Sequence, residues 1–251
     1  YRKEMHGTMD DQTIRQLADR LAYLRGLDER RTEVRDAIDA QGKLTDELAA
    51  AIQEAQTLAA LDDLYRPYRP KRRTRASIAR EKGLEPLAAA ILAARASSPA
   101  LEALAKPYIY PEKGVETAED ALAGAGDIIA EDLSDDANLR GRLRALLHRT
   151  GVLKTVGTDE DDTIYTMYHD FSEPVRRLQS HRVLAINRGE KEGKLKVTLE
   201  ADENEAVAAV TRAALHPKNP FGDWLRAVCA DSWNRLLFPS LERELRSELT
   251  D

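Results

Sequence analysis

The sequence predicts a mainly α-helical protein, a multi-helix scaffold that carries one small two-stranded β element. Aromatic residues make up only 5% of the 251 residues, whereas Ala, Leu, Glu and Arg are abundant. These abundant residues lose little rotamer freedom in a helix. Apolar residues recur every three or four positions along most of the chain, and alternation with period two is confined to short stretches. Together these observations favour packed helices around a core.

The first elements form a predicted antiparallel pair of helices. Residues 10–40 carry apolar side chains at helical spacing with charges between them, and Gly42 is the expected stop. Thr45 is the expected N-cap of a second helical pattern that continues to Leu64. A loop this short joins neighbouring antiparallel helices.

Two prolines interrupt the helical pattern after Leu64. Pro67 and Pro70 each push the preceding residue towards extended geometry, so residues 65–70 predict a short polyproline-like strut. Helices are expected to resume near Ser77 and at Pro86, followed by an irregular stretch over residues 97–115.

The remaining half predicts further helices and the β element. Thr117 and Ser134 are the expected N-caps of two helices. Residues 152–156 and 194–199 are the strand candidates, and a helix from Ser180 lies between them. Helices that begin after Asp202, at Phe221 and at Pro239 complete the chain. We expect two regions: residues 1–115, helical with the basic strut, and residues 116–251, helical with the β element.

Composition excludes several classes of protein. Cys229 is the one cysteine, so no intrachain disulfide framework is possible, which fits a reducing compartment. No apolar run approaches the roughly 20 residues of a membrane span. The chain starts at Tyr1 rather than at a methionine and ends within a charged helical pattern, so we expect it to be a piece of a longer protein.

One short segment carries a strong positive charge. The whole chain has 38 Lys and Arg against 44 Asp and Glu, a net charge of −6. Residues 66–82 contain eight basic residues and one acidic residue, net +7, which leaves −13 for the rest. Arginine offers a planar fork that binds phosphate in bidentate fashion, and aromatic rings beside it stack on unpaired bases. The candidate nucleic-acid-binding residues are therefore Arg66, Arg69, Lys71, Arg72, Arg73 and Arg75, with Tyr65 and Tyr68 as stacking candidates.

Two other interpretations of the basic segment stay open. It can dock against the acidic remainder as an internal electrostatic strap, with both tyrosines in the core. Alternatively, Pro67 and Pro70 can form a polyproline ligand for a protein partner.

No pattern in the sequence predicts a catalytic, metal or cofactor site, and we expect no enzyme. The acidic run Asp159–Asp162 lacks the spacing of a calcium loop and is expected to be a solvated loop. The histidines do not form a metal-ligand spacing with Cys229, which is expected to be a buried small apolar residue. Small residues at 124–126 are expected to permit close helix packing.

Residues 63–76 (DLYRPYRPKRRTRA) and 79–87 (AREKGLEPL) resemble the Tex family of bacterial transcription accessory proteins. Residues 1–4 (YRKE), 41–45 (QGKLT) and 180–185 (SHRVLA) are similar to the same family, so the resemblance extends over essentially the whole chain. It implies a cytoplasmic protein that binds nucleic acid and works with transcription, and whose eukaryotic relatives are elongation factors that also handle histones.

The resemblance also implies a longer architecture. In that family a helical N-terminal and central scaffold precedes an RNase H-like domain, helix-hairpin-helix units and an OB-fold that binds RNA. The expected function of this chain is thus a non-enzymatic helical scaffold of a protein that binds DNA or RNA in its full-length form. The alternative is a protein–protein interaction module that docks the transcription machinery and uses the basic segment internally.

Overall fold

The computed structural model of the chain describes residues 10–70, 72–158 and 164–250. It confirms a mainly helical protein with one small sheet. The chain divides into two compact units, Tyr1–Pro70 and Lys71–Asp251, which are described separately below. The boundary predicted after residue 115 falls inside the second unit.

Over its described residues, 10–70, the first unit contains three helices, α1 (Asp11–Asp39), α2 (Asp46–Glu54) and α3 (Leu58–Tyr65). Gly42 has a φ of 65°, and the Thr45 hydroxyl accepts a hydrogen bond from the Leu48 N–H, as their residue types predict. The helix predicted from Thr45 to Leu64 is two helices, because Thr57 caps a second start by accepting from the Ala60 N–H. The core of the unit consists of Leu27, Val34, Ile38, Ile52, Ala55 and Leu61.

The predicted polyproline-like strut is wrong. Residues Arg66–Tyr68 form a 3₁₀ turn that continues directly from α3, and Arg66 itself is helical, with φ −53° and ψ −44°. Pro67 stands in the first turn, where its missing N–H leaves no hydrogen bond unmade. The Arg69 N–H donates to the Tyr65 carbonyl at 3.0 Å, so extended backbone begins only at Arg69.

The second unit is mostly helical. Its helices are α4 (Arg75–Glu81), α5 (Glu85–Ala93), α6 (Leu101–Ala105), α7 (Ala118–Asp135), α8 (Ala137–Thr150), α9 (Ser180–Lys191), α10 (Glu203–Ala214), α11 (Gly222–Asp231) and α12 (Phe238–Glu248). A π-helical turn, Ser232–Leu237, joins α11 to α12. The short helix α6 and two 3₁₀ turns occupy the stretch predicted to be irregular.

Two features of α7 correct or confirm the sequence analysis. Ser134 is not an N-cap: it lies inside α7, where its hydroxyl donates to the Glu131 carbonyl, and Asp136 caps α8 instead. Gly124 permits the predicted close packing, because an added Cβ would lie 2.3 Å from the Leu84 Cδ1 atom.

The β element has three strands, so the prediction of two is wrong. Strands β1 (Val152–Gly157), β2 (Asp170–Pro174) and β3 (Leu195–Glu200) form an antiparallel sheet in the order β2-β1-β3. Strand β2 contains Asp and Pro, residues that are rare in strands, and it pairs at the sheet's edge where proline is tolerated. Its sequence therefore gives no alternating signal. Throughout the described ranges, no helix combines the length and the apolar character that crossing a membrane requires.

Candidate nucleic-acid interface

In the first unit, the basic segment follows directly from the end of α3. The Asp62 carboxylate contacts the guanidinium groups of Arg30 at 2.8 Å and Arg69 at 3.4 Å. The same two guanidinium groups lie over the Tyr65 ring, at 5.6 Å and 5.5 Å from its centroid. The hydrogen bonds to Asp62 and, to a smaller extent, to Glu33 raise the pKa of Arg30. Arg69 is therefore engaged by a carboxylate and by an aromatic ring within its own unit.

The two candidate stacking residues are half-buried. Tyr65 and Tyr68 both pack against the apolar core of the first unit. The Gln41 side-chain amide donates to the Tyr68 carbonyl at 3.0 Å, which ties the 3₁₀ turn to the end of α1. The core holds part of each ring, and a stacking role for either ring stays a prediction. Arg66 is half-buried at the start of the same turn.

In the second unit, the basic segment approaches α4 with exposed cations. Arg72 is exposed and has no ion-pair partner within the described ranges. Arg73 lies 3.8 Å from Glu81, with 74% and 66% of the two side chains exposed. Pairs this exposed contribute about 0–1 kcal/mol, so the Arg73 guanidinium remains available to another anion. Lys71, the sixth candidate, lies outside the described residues.

Arg75 is the first residue of α4, behind a reciprocal capping box. The Thr74 hydroxyl accepts from the Ser77 N–H at 3.0 Å, and the Ser77 hydroxyl accepts from the Thr74 N–H at 2.8 Å. The exposed Arg75 side chain borders a shallow cleft that Asp120 and Asp127 also line. Lys82 lines the same cleft, so two cations face two carboxylates there and the cleft itself holds no excess positive charge for a phosphate.

Asp127 shows how the same cleft is balanced electrostatically. Burial raises the pKa of the Asp127 carboxyl, while Arg235 and Arg75 act in the opposite direction. The Arg235 guanidinium contacts Asp127 at 2.9 Å and Asp231 at 2.6 Å. The positive charge of Arg75 therefore partly stabilises the Asp127 carboxylate within the fold.

Arg80, which also belongs to the basic segment, points inward. Its guanidinium contacts Glu131 at 2.7 Å, a carboxylate with only 10% of its side chain exposed, and also contacts Asp132. Burial alone would lower the pKa of Arg80, but the hydrogen bond to Glu131 and the nearby carboxylates raise it. This is the kind of contact that the strap interpretation predicts. The segment thus divides into cations used within the fold and cations exposed on it.

The other features considered in the sequence lie apart from the basic segment. Cys229 is completely buried, as predicted, and burial raises the pKa of its thiol. In the part of the chain that the structure describes, no group of three or more His, Cys, Asp or Glu side chains is placed to hold a metal ion. The acidic run Asp159–Asp162 lies outside that part.

One cationic surface was missed in the sequence analysis. Helix α9 exposes His181, Arg188 and Lys191, which recur at i, i+7 and i+10 on one face. That spacing is readable in the sequence, but only once a helix is assigned there and its buried face is known.

Comparison with known protein families gives two matches. The model described as Tex central region-like matches residues 94–251, and the model described as Tex-like protein N-terminal domain matches residues 1–39. The chain belongs to the Tex family. The two matched ranges lie on either side of the basic segment.

Tex relatives match the whole chain. The chain is 45% identical to "Protein tex" of Bordetella pertussis and 38% identical to "Transcriptional accessory protein Tex" of Neisseria gonorrhoeae, over 100% of its length in both cases. It is 28% identical, again over 100% of its length, to the human "S1 RNA-binding domain-containing protein 1", of which it covers 26%. The chain spans about a third of the two bacterial relatives, 34% of each.

Proposed function

We propose that this chain is a non-enzymatic helical scaffold of a Tex-like transcription accessory protein that binds DNA or RNA in its full-length form. In this proposal the scaffold positions other nucleic-acid-binding parts of the protein. The exposed cations Arg72, Arg73 and Arg75 add an auxiliary phosphate contact. The protein works in the cytoplasm.

The observation that carries the proposal is the similarity to Tex proteins along the entire chain. A relative named for an S1 RNA-binding domain supports an RNA-related role at the level of the family. The exposure of Arg72 and Arg73 supports a local contact, because exposed cations release phosphate-bound counterions when they bind a strand.

Binding of the 251-residue chain to fluorescent single-stranded RNA, single-stranded DNA and duplex DNA tests this proposal. Anisotropy is measured from 20 to 200 mM salt. Changing Arg72, Arg73 and Arg75 together to Gln should lower the slope of log K against log[salt] by about 2 on single strands, at about 0.7 per phosphate contact.

A matched control keeps this test specific. Arg142, Arg212 and Lys218 are exposed cations elsewhere in the second unit, and their joint change to Gln removes the same charge. If both variants weaken binding equally, the loss reflects net charge alone and not a contact by the basic segment. A wild-type chain without any binding at 20 mM salt would overturn the proposed contact.

The absence of catalysis is part of the proposal and needs its own assay. The purified chain is incubated with RNA, DNA and a phosphate monoester, with and without divalent metal. Turnover that persists through repeated purification and increases with protein concentration would contradict a purely scaffolding role.

A second candidate function, a protein-interaction module, has one specific observation in its favour. Helix α1 leaves Leu17, Leu21 and Leu24 exposed by 55%, 47% and 43%, at the spacing of a coiled-coil seam. Arg20 and Arg25 are exposed on the two flanks of this seam. Pairing two copies of the chain would bring arginines together, so the charges favour a partner helix with carboxylates beside its apolar residues.

Binding of purified RNA polymerase, the partner that this alternative implies, tests the seam. The Leu21→Glu variant should lose the interaction while its thermal midpoint stays unchanged, since the side chain is exposed. Equal binding by both proteins would exclude the seam. A wild-type dimer that Leu21→Glu dissociates would identify a second copy as the occupant and contradict the acidic partner.

A further inference from the structure

A second group of cations lies on and just before helix α9, remote in sequence from the basic segment. His181, Leu184, Arg188 and Lys191 are all exposed, and their spacing places them on one face of the helix. The buried residues Val183, Ile186 and Gly189 occupy the opposite side. We refer to His181, Leu184, Arg188 and Lys191, together with Arg176 and Arg177, as the α9 surface.

The cations of the α9 surface have no ion-pair partner in the described ranges, whereas other charged residues of the same helix do. Arg182, on the same helix, contacts Glu173 at 2.7 Å and lies over the Phe171 ring. Glu190 is bound by Arg246. In contrast, the five basic side chains of the α9 surface have no ion-pair or hydrogen-bond partner within the described ranges. Because like charges repel one another, this group of cations does not stabilise the fold.

The start of α9 adds a second feature favourable to an anion. Gln179 is the N-cap and makes no side-chain cap hydrogen bond, so the first N–H groups of this 12-residue helix lack a side-chain acceptor. Arg176 and Arg177 end the 3₁₀ turn immediately before it, and both are exposed. Backbone N–H groups and the helix dipole at such an end favour phosphate.

The dimensions match a nucleic-acid strand. At 1.5 Å per residue, Arg188 lies about 10 Å and Lys191 about 15 Å along the axis from His181. Phosphates of one strand in a duplex advance about 3.4 Å along the axis per nucleotide, so the surface spans about four to five nucleotides. A protein partner would need several apolar anchors, and among the described residues Leu184 is the only large apolar side chain on this face of α9.

We propose that the α9 surface is a second phosphate-backbone contact site for nucleic acid, separate from the basic segment. The ligand is a strand of RNA or DNA held through its phosphates without reading of the bases. Glu192, exposed one residue beyond Lys191, is the single carboxylate on this face among the described residues, and its charge opposes binding.

Changing Arg177, Arg188 and Lys191 together to Gln tests the site. Between 20 and 200 mM salt, the slope of log K against log[salt] for a single-stranded 20-mer should fall by about 2, at about 0.7 for each of three lost phosphate contacts. The Glu192→Gln variant should change affinity in the opposite direction and strengthen binding. The thermal midpoint of the triple variant should stay unchanged, because its three altered side chains are exposed and have no ion-pair or hydrogen-bond partner in the described ranges.

The matched control is again Arg142, Arg212 and Lys218 changed to Gln. An α9 variant that binds no more weakly than this control overturns the α9 site, whatever the variant of Arg72, Arg73 and Arg75 does. Weakening by the α9 variant alone supports this site and excludes the basic segment. A wild-type chain that fails to bind at 20 mM salt refutes both. Displacement of RNA by polyglutamate at equal charge concentration would overturn the assignment to nucleic acid.

Discussion

Replacing Asp62 by Asn should strengthen binding of nucleic acid to the first unit. The Asp62 carboxylate contacts Arg30 at 2.8 Å and Arg69 at 3.4 Å, and it therefore competes with any phosphate for both guanidinium groups. An asparagine keeps the shape of the side chain but carries no charge. Arg69, whose side chain is about half exposed, then becomes available to a phosphate, and its contact with the Tyr65 ring remains.

The size of the effect follows from one additional phosphate contact. On a single strand, one contact raises the salt slope by about 0.7 and the affinity at 0.1 M salt by about fivefold. The lost ion pairs are partly exposed, and pairs of this kind contribute about 0.2–1 kcal/mol, so folding should change little. Anisotropy titrations at several salt concentrations measure the slope, and a thermal melt measures the stability.

Asp19→Asn is the matched control, because Asp19 is exposed on the same unit and has no ion-pair partner in the described ranges. Both substitutions remove one negative charge, so the difference between them isolates the release of Arg69, since Glu33 still contacts Arg30 at 3.0 Å. If Asp62→Asn binds no more tightly than Asp19→Asn, the basic side chains of the first unit do not contact the strand.

Three further predictions concern packing, pH and reactivity. Gly124→Ala should destabilise the second unit by about 1–3 kcal/mol in denaturant titrations because its Cβ would overlap Leu84, whereas Gly141→Ala, with nothing within 4 Å, should stabilise it by about 0.5–1 kcal/mol. Burial raises the pKa of Glu244, but Arg140 and Arg144 outweigh it and lower the pKa overall. The contribution of Glu244 to stability should therefore be present above the ordinary glutamate pKa and lost as the pH falls through the folded pKa. In the Glu244→Gln variant, the melting temperature should depend less on pH over that range. Cys229 should resist an aromatic disulfide reagent in the native state and react on unfolding, since it is buried with a raised thiol pKa.

Local signals account for the parts of the fold that the sequence predicted well. Thr45, Thr117 and Asp202 each accept a hydrogen bond from a backbone N–H three residues later, as a side chain at an N-cap does. Gly42, where the first helix was expected to end, has a φ of 65°. These features depend on neighbours in sequence, so residue types alone identify them.

The errors arise where two local preferences compete or where a partner strand decides. A proline disfavours helix in the residue before it, yet Arg66 stays helical because α3 leads straight into the turn. Strand β2 exists because β1 offers it a ladder, and nothing in Asp170–Pro174 alone indicates a strand. Ser134 and Asp136 are both good N-caps, and only the backbone shows that Asp136 has that role.

For the candidate site, the sequence predicted where the charge lies but not which charges are already used. Arg69 and Arg80 belong to the same basic run as Arg72, yet both contact carboxylates. Counting charges along the sequence does not show which carboxylate contacts which of these two arginines. The α9 surface shows the converse: its charge density is unremarkable in sequence, and helical geometry with the absence of partners in the described ranges makes it a candidate.

The salt slope of the wild-type chain measures how many of these cations a strand contacts. Three contacts at about 0.7 logarithmic units each give about 3 kcal/mol at 0.1 M salt, less than the roughly 4 kcal/mol of millimolar affinity. Either surface alone would therefore bind detectably only at low salt. If Arg72, Arg73 and Arg75 act together with the α9 surface on one strand, the slope should approach about −4. A slope near −2 would show that one surface binds at a time and that the second adds only another site.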